Sequence, residues 1–449
     1  MSKKRLGRWV IVLFLLAALP MMTAVMAQGQ EPVQKGMSPS TEVGESSAPA
    51  WNVWESEPNN TMAQADVMAL GDVMGADFNY EGDVDFFKFY VESHDTSLLV
   101  DTDGQVFNSG VDTMVWLYDA GGHEIGFNDD EGDYADQHDS LHYNVLRPGW
   151  HYVKVAEFND EYDWTYDLIV SSPLLISAAA AKLGTGNVAG ISFRSEDILA
   201  HSDLNDGQEK WVLFLDAGDI GIVKPIVNLS TGWEPTPGTG SQSLAVSFSA
   251  NQVLTDHTGV ARTFKPTDWA MLNFERIGPN PILTEWVEHH PGALHGLTTA
   301  SEKLDALAMW SWSDGVGNWT ADLYFSTVGA AAVPRSGGGV LKLADEDVYR
   351  SWTDQGHAPY WENFAEMDGS TIYGLAGEDV FAADYDQETG LTYLTILGTG
   401  NIGGQAVTQK DIFMAQYALE GAWEYEGIVW HGPDHGWNYN IDAFDWPGD

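Results

Sequence analysis

The sequence predicts an all-β protein, with a β-sandwich over residues 51–172 and a four-unit β-propeller-like repeat domain over residues 173–449. Short runs in which apolar and polar residues alternate are separated by glycine, proline and asparagine turns, which is the pattern of half-buried strands. In the C-terminal part, an aspartate followed by a large apolar residue recurs at intervals of 64 to 79 residues, which indicates a repeat. The chain has no cysteine, so core packing must stabilise it instead of disulfides, and a bound metal could contribute.

The first domain contains two clear alternating strands. In residues 86–91, Phe, Lys and Tyr alternate with Phe, Phe and Val, and Tyr152-Val153-Lys154-Val155 repeats the pattern. Half-buried antiparallel strands are expected at both places. The turns between strands are supplied by Gly121-Gly122, Asn128-Asp129 and Pro148-Gly149.

Acidic and amide residues stand at fixed points around these strands. The motifs are, in order, Glu55-Ser56-Glu57-Pro58-Asn59-Asn60-Thr61, Gly82-Asp83-Val84-Asp85-Phe86-Phe87-Lys88-Phe89, Asp112-Thr113, Leu117-Tyr118-Asp119-Ala120-Gly121, Asn128-Asp129-Asp130 and Pro148-Gly149-Trp150-His151-Tyr152-Val153-Lys154-Val155. Together they resemble the bacterial pre-peptidase C-terminal (PPC) domain, a calcium-associated β-sandwich that is appended to secreted enzymes and surface proteins.

The resemblance implies a calcium site, formed by the segment before the first strand together with the loop before Phe86-Phe87. Clustered carboxylate and amide oxygens are the ligands that calcium prefers. The implied ligands are Glu55, Glu57, Asn59, Asn60, Asp83 and Asp85. The residues alone leave a second interpretation open, a solvated acidic loop with ordinary Asx turns, and for Asp129 and Asp130 a turn-forming role is favoured.

The N-terminus predicts export. Four cations between Lys3 and Arg8 precede the apolar run of residues 9–19, and Val25-Met26-Ala27 places small residues where a signal peptidase cleaves. Residues 1–27 are therefore predicted to be a signal peptide and residues 28–50 a disordered linker. We expect a bacterial protein that is secreted or held at the cell surface, without stable membrane insertion after signal removal; a retained anchor is the alternative.

The net charge of the chain limits the kinds of partner that it is expected to bind. The chain carries 66 acidic and 20 basic residues, a formal net charge of −46. Such a surface repels nucleic acid and anionic lipid, so no nucleic-acid partner is expected. An extracellular polymer or protein is the predicted partner.

Four repeat units follow the first domain. Their shared elements are the steps Asp197-Ile198, Asp268-Trp269, Asp347-Val348 and Asp411-Ile412, the tryptophans Trp211, Trp286, Trp361 and Trp423, the turns Gly221-Ile222, Gly296-Leu297, Gly374-Leu375 and Gly436-Trp437, and the segments Leu304-Asp305-Ala306-Leu307, Glu378-Asp379-Val380-Phe381 and Ile441-Asp442-Ala443-Phe444. These elements also resemble β-propeller-like repeats of secreted bacterial proteins. A C-terminal strand over residues 439–446 is predicted to pair beside the strand that starts near Leu174, which would remove an exposed sheet edge. A β-sandwich or an open array is the alternative.

No catalytic motif is recognisable. The Gly398-Thr399-Gly400-Asn401-Ile402-Gly403 match to a dinucleotide motif precedes a strand pattern, whereas such a site needs a helix there. Histidines that could suggest zinc are favoured as structural, because His295 and His435 occupy corresponding turns. The crowded tryptophans of the last repeat are favoured as core.

A secreted, non-catalytic binding or adhesion protein is therefore predicted. Two alternatives stay open: an extracellular glycan or peptide hydrolase with a carboxylate site on the repeat domain, and a structural component of a surface layer or matrix.

Overall fold

The described part of the chain consists of β-strands joined by turns and short 3₁₀ helices, which confirms the all-β fold class. The computed structural model describes residues 53–92, 96–103, 111–129, 140–145, 148–159, 162, 164–178, 185–231, 242–255, 260–277, 281–299, 302–313, 319–335, 338–354, 362–386, 389–418 and 423–447. The predicted signal peptide and linker, Asp130 and Trp361 lie outside these residues. Within them, no helix has the length and apolar character needed to cross a membrane.

Ten strands form two five-stranded sheets at the N-terminal end. In chain order they are β1 (Val53–Trp54), β2 (Asp66–Val67), β3 (Val73–Phe78), β4 (Val84–Val91), β5 (Thr96–Asp103), β6 (Thr113–Tyr118), β7 (Glu124–Asn128), β8 (Ser140–Val145), β9 (Gly149–Glu157) and β10 (Trp164–Ser171). The first sheet has the order β1-β3-β10-β5-β8 and the second β2-β4-β9-β6-β7. We call this part the two-sheet domain.

The two sheets share one hydrophobic core. Phe78 on β3 and Phe87 and Phe89 on β4 are all fully buried in it. The residues that alternate with them on β4, Phe86 and Tyr90, point away from the core. The predicted alternation of buried and outward residues is therefore confirmed, and its cause is the two-residue period of a strand.

Four four-stranded antiparallel sheets and four two-stranded hairpins follow. Their strands are β11 (Leu174–Ala178), β12 (Gly186–Val188), β13 (Ile191–Phe193), β14 (Ile198–Asp203), β15 (Glu209–Leu215), β16 (Ile226–Ser230), β17 (Gln242–Phe248), β18 (Gln252–Thr255), β19 (Ala261–Phe264), β20 (Trp269–Arg276), β21 (Ile282–His290), β22 (Leu304–Ser313), β23 (Trp319–Thr327), β24 (Ala331–Pro334), β25 (Val340–Leu343), β26 (Val348–Asp354), β27 (Glu362–Met367), β28 (Val380–Asp386), β29 (Leu391–Ile396), β30 (Thr399–Ile402), β31 (Gln405–Thr408), β32 (Asp411–Tyr417), β33 (Trp423–His431) and β34 (Ile441–Asp445). The four-stranded sheets have the orders β34-β11-β14-β15, β16-β17-β20-β21, β22-β23-β26-β27 and β28-β29-β32-β33.

The repeated aspartate of each unit contacts two segments, the turn just before it and the segment at the end of the sheet's last strand. Asp268 accepts a hydrogen bond from the backbone N–H of Lys265 at 3.0 Å, and its other oxygen accepts one from Gly292, which begins a 3₁₀ helix, at 3.0 Å. Asp197 and Asp347 make the equivalent pairs, with Arg194 and Ala217 and with Ala344 and Gly369. In the last unit, His431 Nδ1 contacts the second oxygen of Asp411. These aspartates therefore serve the fold, because they satisfy backbone donors that would otherwise be buried without partners.

The third repeat differs from its predicted alignment. The backbone N–H groups of Ile226, Leu304, Val380 and Ile441 make equivalent bonds, each to the carbonyl oxygen two residues before the repeated aspartate. Val380 is thus the counterpart of Leu304, and the alignment that placed Glu378 there is wrong by two residues. A two-residue shift keeps every side chain on its own face, so alternation alone could not reveal the error.

The last strand completes the first sheet. β34 pairs with β11 in antiparallel register, with Leu175 opposite Asp445 and Ile176 opposite Phe444. The predicted pairing of the C-terminal strand with the strand that starts near Leu174 is therefore confirmed. The first strand of each sheet also neighbours others: β16 lies against β34 and β22, and β28 lies against β22 and β34.

The first of these sheets is joined to the two-sheet domain within one compact unit, Ala48–Asp449. Asn205 donates to the carbonyl oxygen of Leu70 at 3.0 Å and to Asp72 Oδ1 at 2.8 Å. Lys210 Nζ lies 2.6 Å from Asp101 Oδ2. Since β10 runs almost directly into β11, these contacts hold the β14–β15 turn against the two-sheet domain.

Candidate metal centre

Three predicted ligands meet at one end of the two-sheet domain. One carboxylate oxygen each of Glu55, Glu57 and Asp85 lies within 4.8 Å of the others. Asn59 and Asp85 are fully buried and Glu55 is 7% exposed, whereas Glu57 reaches solvent. The arrangement is an acidic pocket with one open side.

Both sheets hold these side chains in place. Glu55 follows β1; its Oε1 accepts from the backbone N–H of Asp77 at 2.5 Å and its Oε2 accepts from the amide of Asn59 at 3.0 Å. Asp85 lies on β4 and accepts a hydrogen bond from the hydroxyl of Tyr166, on β10 of the other sheet, at 2.6 Å. The backbone carbonyl oxygen of Asn59 accepts a hydrogen bond from the backbone N–H of Phe86 at 3.0 Å, which ties the N-terminal segment to β4.

Two oxygens in the pocket have no partner among the described residues. Asp85 Oδ1 and the side-chain oxygen of Asn59 are both buried and accept no hydrogen bond. A buried acceptor without a partner is costly. Hard oxygen donors of this kind suit calcium, which takes six to eight of them. The residues present therefore fit a calcium ion, with Glu55, Glu57, Asp85 and Asn59 able to hold it.

The electrostatics of the pocket also favour a bound cation. Burial, followed by the neighbouring Glu55 carboxylate, raises the pKa of Asp85 to about 9. Burial likewise raises the pKa of Glu55 to about 8, against the lowering effect of its hydrogen bonds to Asp77 and Asn59. Carboxylates that share a site disfavour their mutual ionisation. A divalent cation would reverse this, because it supplies the compensating charge.

The remaining two predicted ligands are engaged elsewhere. Asp83 accepts from the amide of Asn60 at 2.7 Å with one oxygen and from the backbone N–H of Asn79 at 2.7 Å with the other. It therefore closes the turn before β4. Sequence reasoning missed Tyr166, which orients Asp85; a single tyrosine on a distant inward-facing strand position carries no local signal.

The outer surface of the second sheet is rich in aromatic rings. We call the residues Phe86, Tyr90, Trp116, Tyr118, Phe127 and Trp150 the aromatic face. Trp116 and Phe127 lie with ring centroids 5.0 Å apart, and Tyr90 and Trp150 5.4 Å apart. Lys154 Nζ lies 3.8 Å from the centre of the Trp116 ring, a cation–π contact. Tyr90, Phe127 and Trp150 are between 40% and 47% exposed, so the face is open to solvent.

Three of the four crowded tryptophans of the last repeat lie in the core, and the fourth, Trp446, is half-buried against it. Trp423, Trp430 and Trp437 are at most 4% exposed. Trp437 stacks between Trp211 and Phe193, with ring centroids 5.6 Å away on each side. The prediction that the tryptophans of the last repeat form core is confirmed for Trp423, Trp430 and Trp437.

The two turn histidines differ. His295 is fully buried; its Nδ1 lies 3.0 Å from Ser351 Oγ, and burial lowers its pKa to about 3. It is a neutral core residue, as predicted for a structural histidine. His435 instead lies beside Glu209, with its Nδ1 3.0 Å from the carboxylate.

Buried carboxylates also lie on the first strands of the repeat sheets. Asp305 on β22 and Asp442 on β34 are 1% and 4% exposed. Burial, followed by the nearby Asp379, raises the pKa of Asp305 well above its usual range. Groups this enclosed offer no access to a polymeric substrate, so these carboxylates do not favour the hydrolase alternative.

Comparison with known proteins gives limited likeness. No model of a protein family and no curated protein sequence matches the chain. The pre-peptidase C-terminal domain of collagenase from Bacillus anthracis is similar over 26% of this chain and 100% of its own, with 18% identity and a TM-score of 0.21. A family 32 glycoside hydrolase from Bifidobacterium adolescentis is similar over 76% of this chain and 56% of its own, with 11% identity and a TM-score of 0.18.

Proposed function

We propose that this protein is a secreted, non-catalytic binding protein that engages an extracellular polymer through the aromatic face of a calcium-stabilised, PPC-like β-sandwich. The remainder of the chain would form a four-bladed β-propeller-like body. The observation that carries the proposal is the aromatic face itself, an exposed sheet surface with six aromatic side chains. Exposed aromatic surface of this extent marks an interaction site in soluble proteins.

Strand adjacency supports the propeller-like body. The first strands of the four sheets neighbour one another in the cyclic order β34, β16, β22 and β28, and β28 returns to β34. Pairing with β34 covers the edge that β11 would otherwise expose, which is the advantage of closure by a C-terminal strand.

A polysaccharide suits the aromatic face better than a folded protein. Its rings lie in rows across neighbouring strands: Trp116 stands opposite Phe127, and Tyr90 opposite Trp150. Exposed rings arranged in such rows can stack on successive sugar rings of an extended chain, since the faces of an aromatic ring are apolar. Lys88 and Lys154 place positive charge on the aromatic face, whereas the protein as a whole is acidic. Because these opposite charges favour neither cationic nor anionic polymers, neutral polymers are the expected partners.

Replacing Trp116 and Trp150 together by alanine is expected to reduce retention on insoluble cellulose or chitin by about tenfold or more, because each lost ring removes about 1 kcal/mol of stacking. Co-sedimentation of the purified full chain measures this. Tyr373→Ala is the matched control, since Tyr373 is a lone exposed aromatic at 77% exposure in the repeat part. Equal retention of the double variant and the control would refute the proposed binding face.

Two further measurements distinguish the alternative functions from polymer binding. Soluble sugar released during incubation would favour the hydrolase. Calcium-dependent self-association in light scattering, without retention on polymer, would favour the structural component.

Calcium is expected to raise the melting temperature of the two-sheet domain. An ion that binds only the folded state stabilises it by about 2.7 kcal/mol at a concentration 100 times its Kd. Asp85→Asn should remove most of this gain, because it replaces a charged ligand by a neutral one of the same shape. Calorimetry of the full chain in calcium and in chelator measures the shift, and isothermal titration measures calcium uptake.

Glu81→Gln serves as the control for charge alone, since Glu81 is an exposed acid four residues before Asp85. It should leave the calcium response intact. An unchanged midpoint in chelator, with no calcium uptake, would contradict the calcium site while leaving the aromatic face to its own test.

A further inference from the structure

We propose that His201, Asp203, Glu209 and His435 form a second metal site, for a zinc-like transition metal, which clips the last repeat unit to the first. One ligand atom from each residue lies within 4.8 Å of all the others. The site shares no residue with the calcium pocket or the aromatic face, so it stands independently of the proposed function.

The distances match the spacing of ligands around one ion. His201 Nε2 lies 3.6 Å from Glu209 Oε2 and 3.7 Å from Asp203 Oδ1. His435 Nδ1 lies 3.0 Å from Glu209 Oε1 and 3.8 Å from Asp203 Oδ1. Ligands on a tetrahedral zinc ion with bonds near 2.1 Å are separated by about 3.4 Å. Only small side-chain movements would therefore be needed.

A buried, unpartnered nitrogen points into the cluster. His201 is 3% exposed, and its Nε2 makes no hydrogen bond to any described residue. Its ring packs against Trp211, with centroids 4.5 Å apart, and against His435, with centroids 4.8 Å apart. A buried polar nitrogen that makes no hydrogen bond calls for an explanation, and a metal ion held with the two nearby carboxylates supplies one.

The ligand set selects the class of ion. Two imidazole nitrogens and two carboxylate oxygens suit zinc and its first-row neighbours. Calcium prefers oxygen ligands only. The pocket around Glu55 has oxygens alone, so the two sites are expected to take different metals.

The position of the site gives it a structural role. His435 ends the 3₁₀ helix Gly432–His435, which follows β33 in the last unit, whereas the other three ligands lie on β14 and β15 in the first sheet. A metal held by both would add a second link beside the pairing of β34 with β11. The turn is already anchored, since Lys210 binds Asp101 of the two-sheet domain.

Zinc titration of the chelator-treated full chain, in excess calcium, is expected to show one zinc ion per chain and a higher melting temperature. Cobalt(II) should give the visible absorption of a tetrahedral site. Asp203→Asn and His435→Asn should each weaken zinc binding by at least about tenfold, since even outer-shell changes cost that much. The Asp203 side chain is 69% exposed, so its replacement leaves the fold intact.

His123→Asn is the matched control. His123 Nδ1 lies 3.0 Å from Asp119 Oδ2 at an exposed place in the two-sheet domain, with 79% of the histidine side chain exposed. It should bind zinc as the unmodified chain does. No zinc uptake by the unmodified chain, or equal uptake by the Asp203→Asn variant and the control, would overturn the site. Calcium-dependent melting of the two-sheet domain would be unaffected in either case.

Discussion

Truncation after Asn438 is expected to unfold the whole repeat part of the chain and not only its end. The truncation removes β34, whose Ile441, Ala443 and Phe444 are at most 1% exposed. Loss of one large buried side chain costs about 2–5 kcal/mol, and entire domains are stable by only about 5–15 kcal/mol. It also exposes β11 as an open edge and leaves Thr231 without Asp445, which accepts from its hydroxyl at 2.6 Å.

Calorimetry and limited proteolysis of the truncated chain measure this loss. The two-sheet domain has its own core around Phe87 and Phe89, so its transition should persist while that of the repeats disappears. Val429→Ala, a change at a partly exposed position of β33, controls for a small local loss and should shift the midpoint only slightly. A truncated chain that melts like the intact one would refute the role of β34 in closing the repeats.

Replacing Asp442 by asparagine is expected to stabilise the protein above neutral pH by as much as about 4 kcal/mol. Burial raises the pKa of Asp442 to about 7, from about 4 in an unfolded chain. The folded state therefore holds this proton more tightly than the unfolded state does. The resulting stabilisation is complete below pH 4 and is lost as the pH rises through 7, where the buried carboxylate ionises. Asparagine cannot ionise, so the variant avoids that loss.

Urea unfolding of both chains at pH 4.5 and pH 8.5 tests this prediction. The gain from Asp442→Asn should be small at the lower pH and large at the higher one. Asp434→Asn, at an exposed position in the neighbouring 3₁₀ helix, should change the free energy of unfolding little at either pH. An equal effect of Asp442→Asn at both pH values would show that ionisation of this carboxylate does not limit stability.

Alternation along the strands was readable without coordinates. Phe86 and Tyr90 face outward while Phe87 and Phe89 enter the core, as their two-residue period required. The sequence did not show which of the outward-facing rings contact each other. Trp116 and Phe127 are brought together by the pairing of β6 with β7, and Tyr90 and Trp150 by the pairing of β4 with β9.

The repeated aspartates were found from spacing, but their task was not. Asp268 joins a turn three residues earlier to a helix 24 residues later. The second of these contacts depends on how β20 and β21 pair, which no local pattern encodes. The same limitation produced the two-residue error around Val380, since either alignment places the same residues on the buried face.

The histidines show most clearly what the sequence could not reveal about the candidate sites. His435 was judged by its match to His295 in the preceding repeats, yet the two have different neighbours: Ser351 for His295 and Glu209 for His435. His201 was not considered at all. Sequence signatures of zinc sites rely on ligands a few residues apart, and here two ligands are separated by 234 residues.

The sequence by itself determined the all-β class, the strand faces, the repeat and the pairing of its last strand with its first, because each follows from periodicity or from the need to cover a sheet edge. Only the tertiary structure decided which polar atoms are buried without partners. Asp85 Oδ1 and His201 Nε2 are ordinary acceptors in an unfolded chain. They become candidate metal ligands because strands distant in sequence exclude water around them and supply no donor in its place.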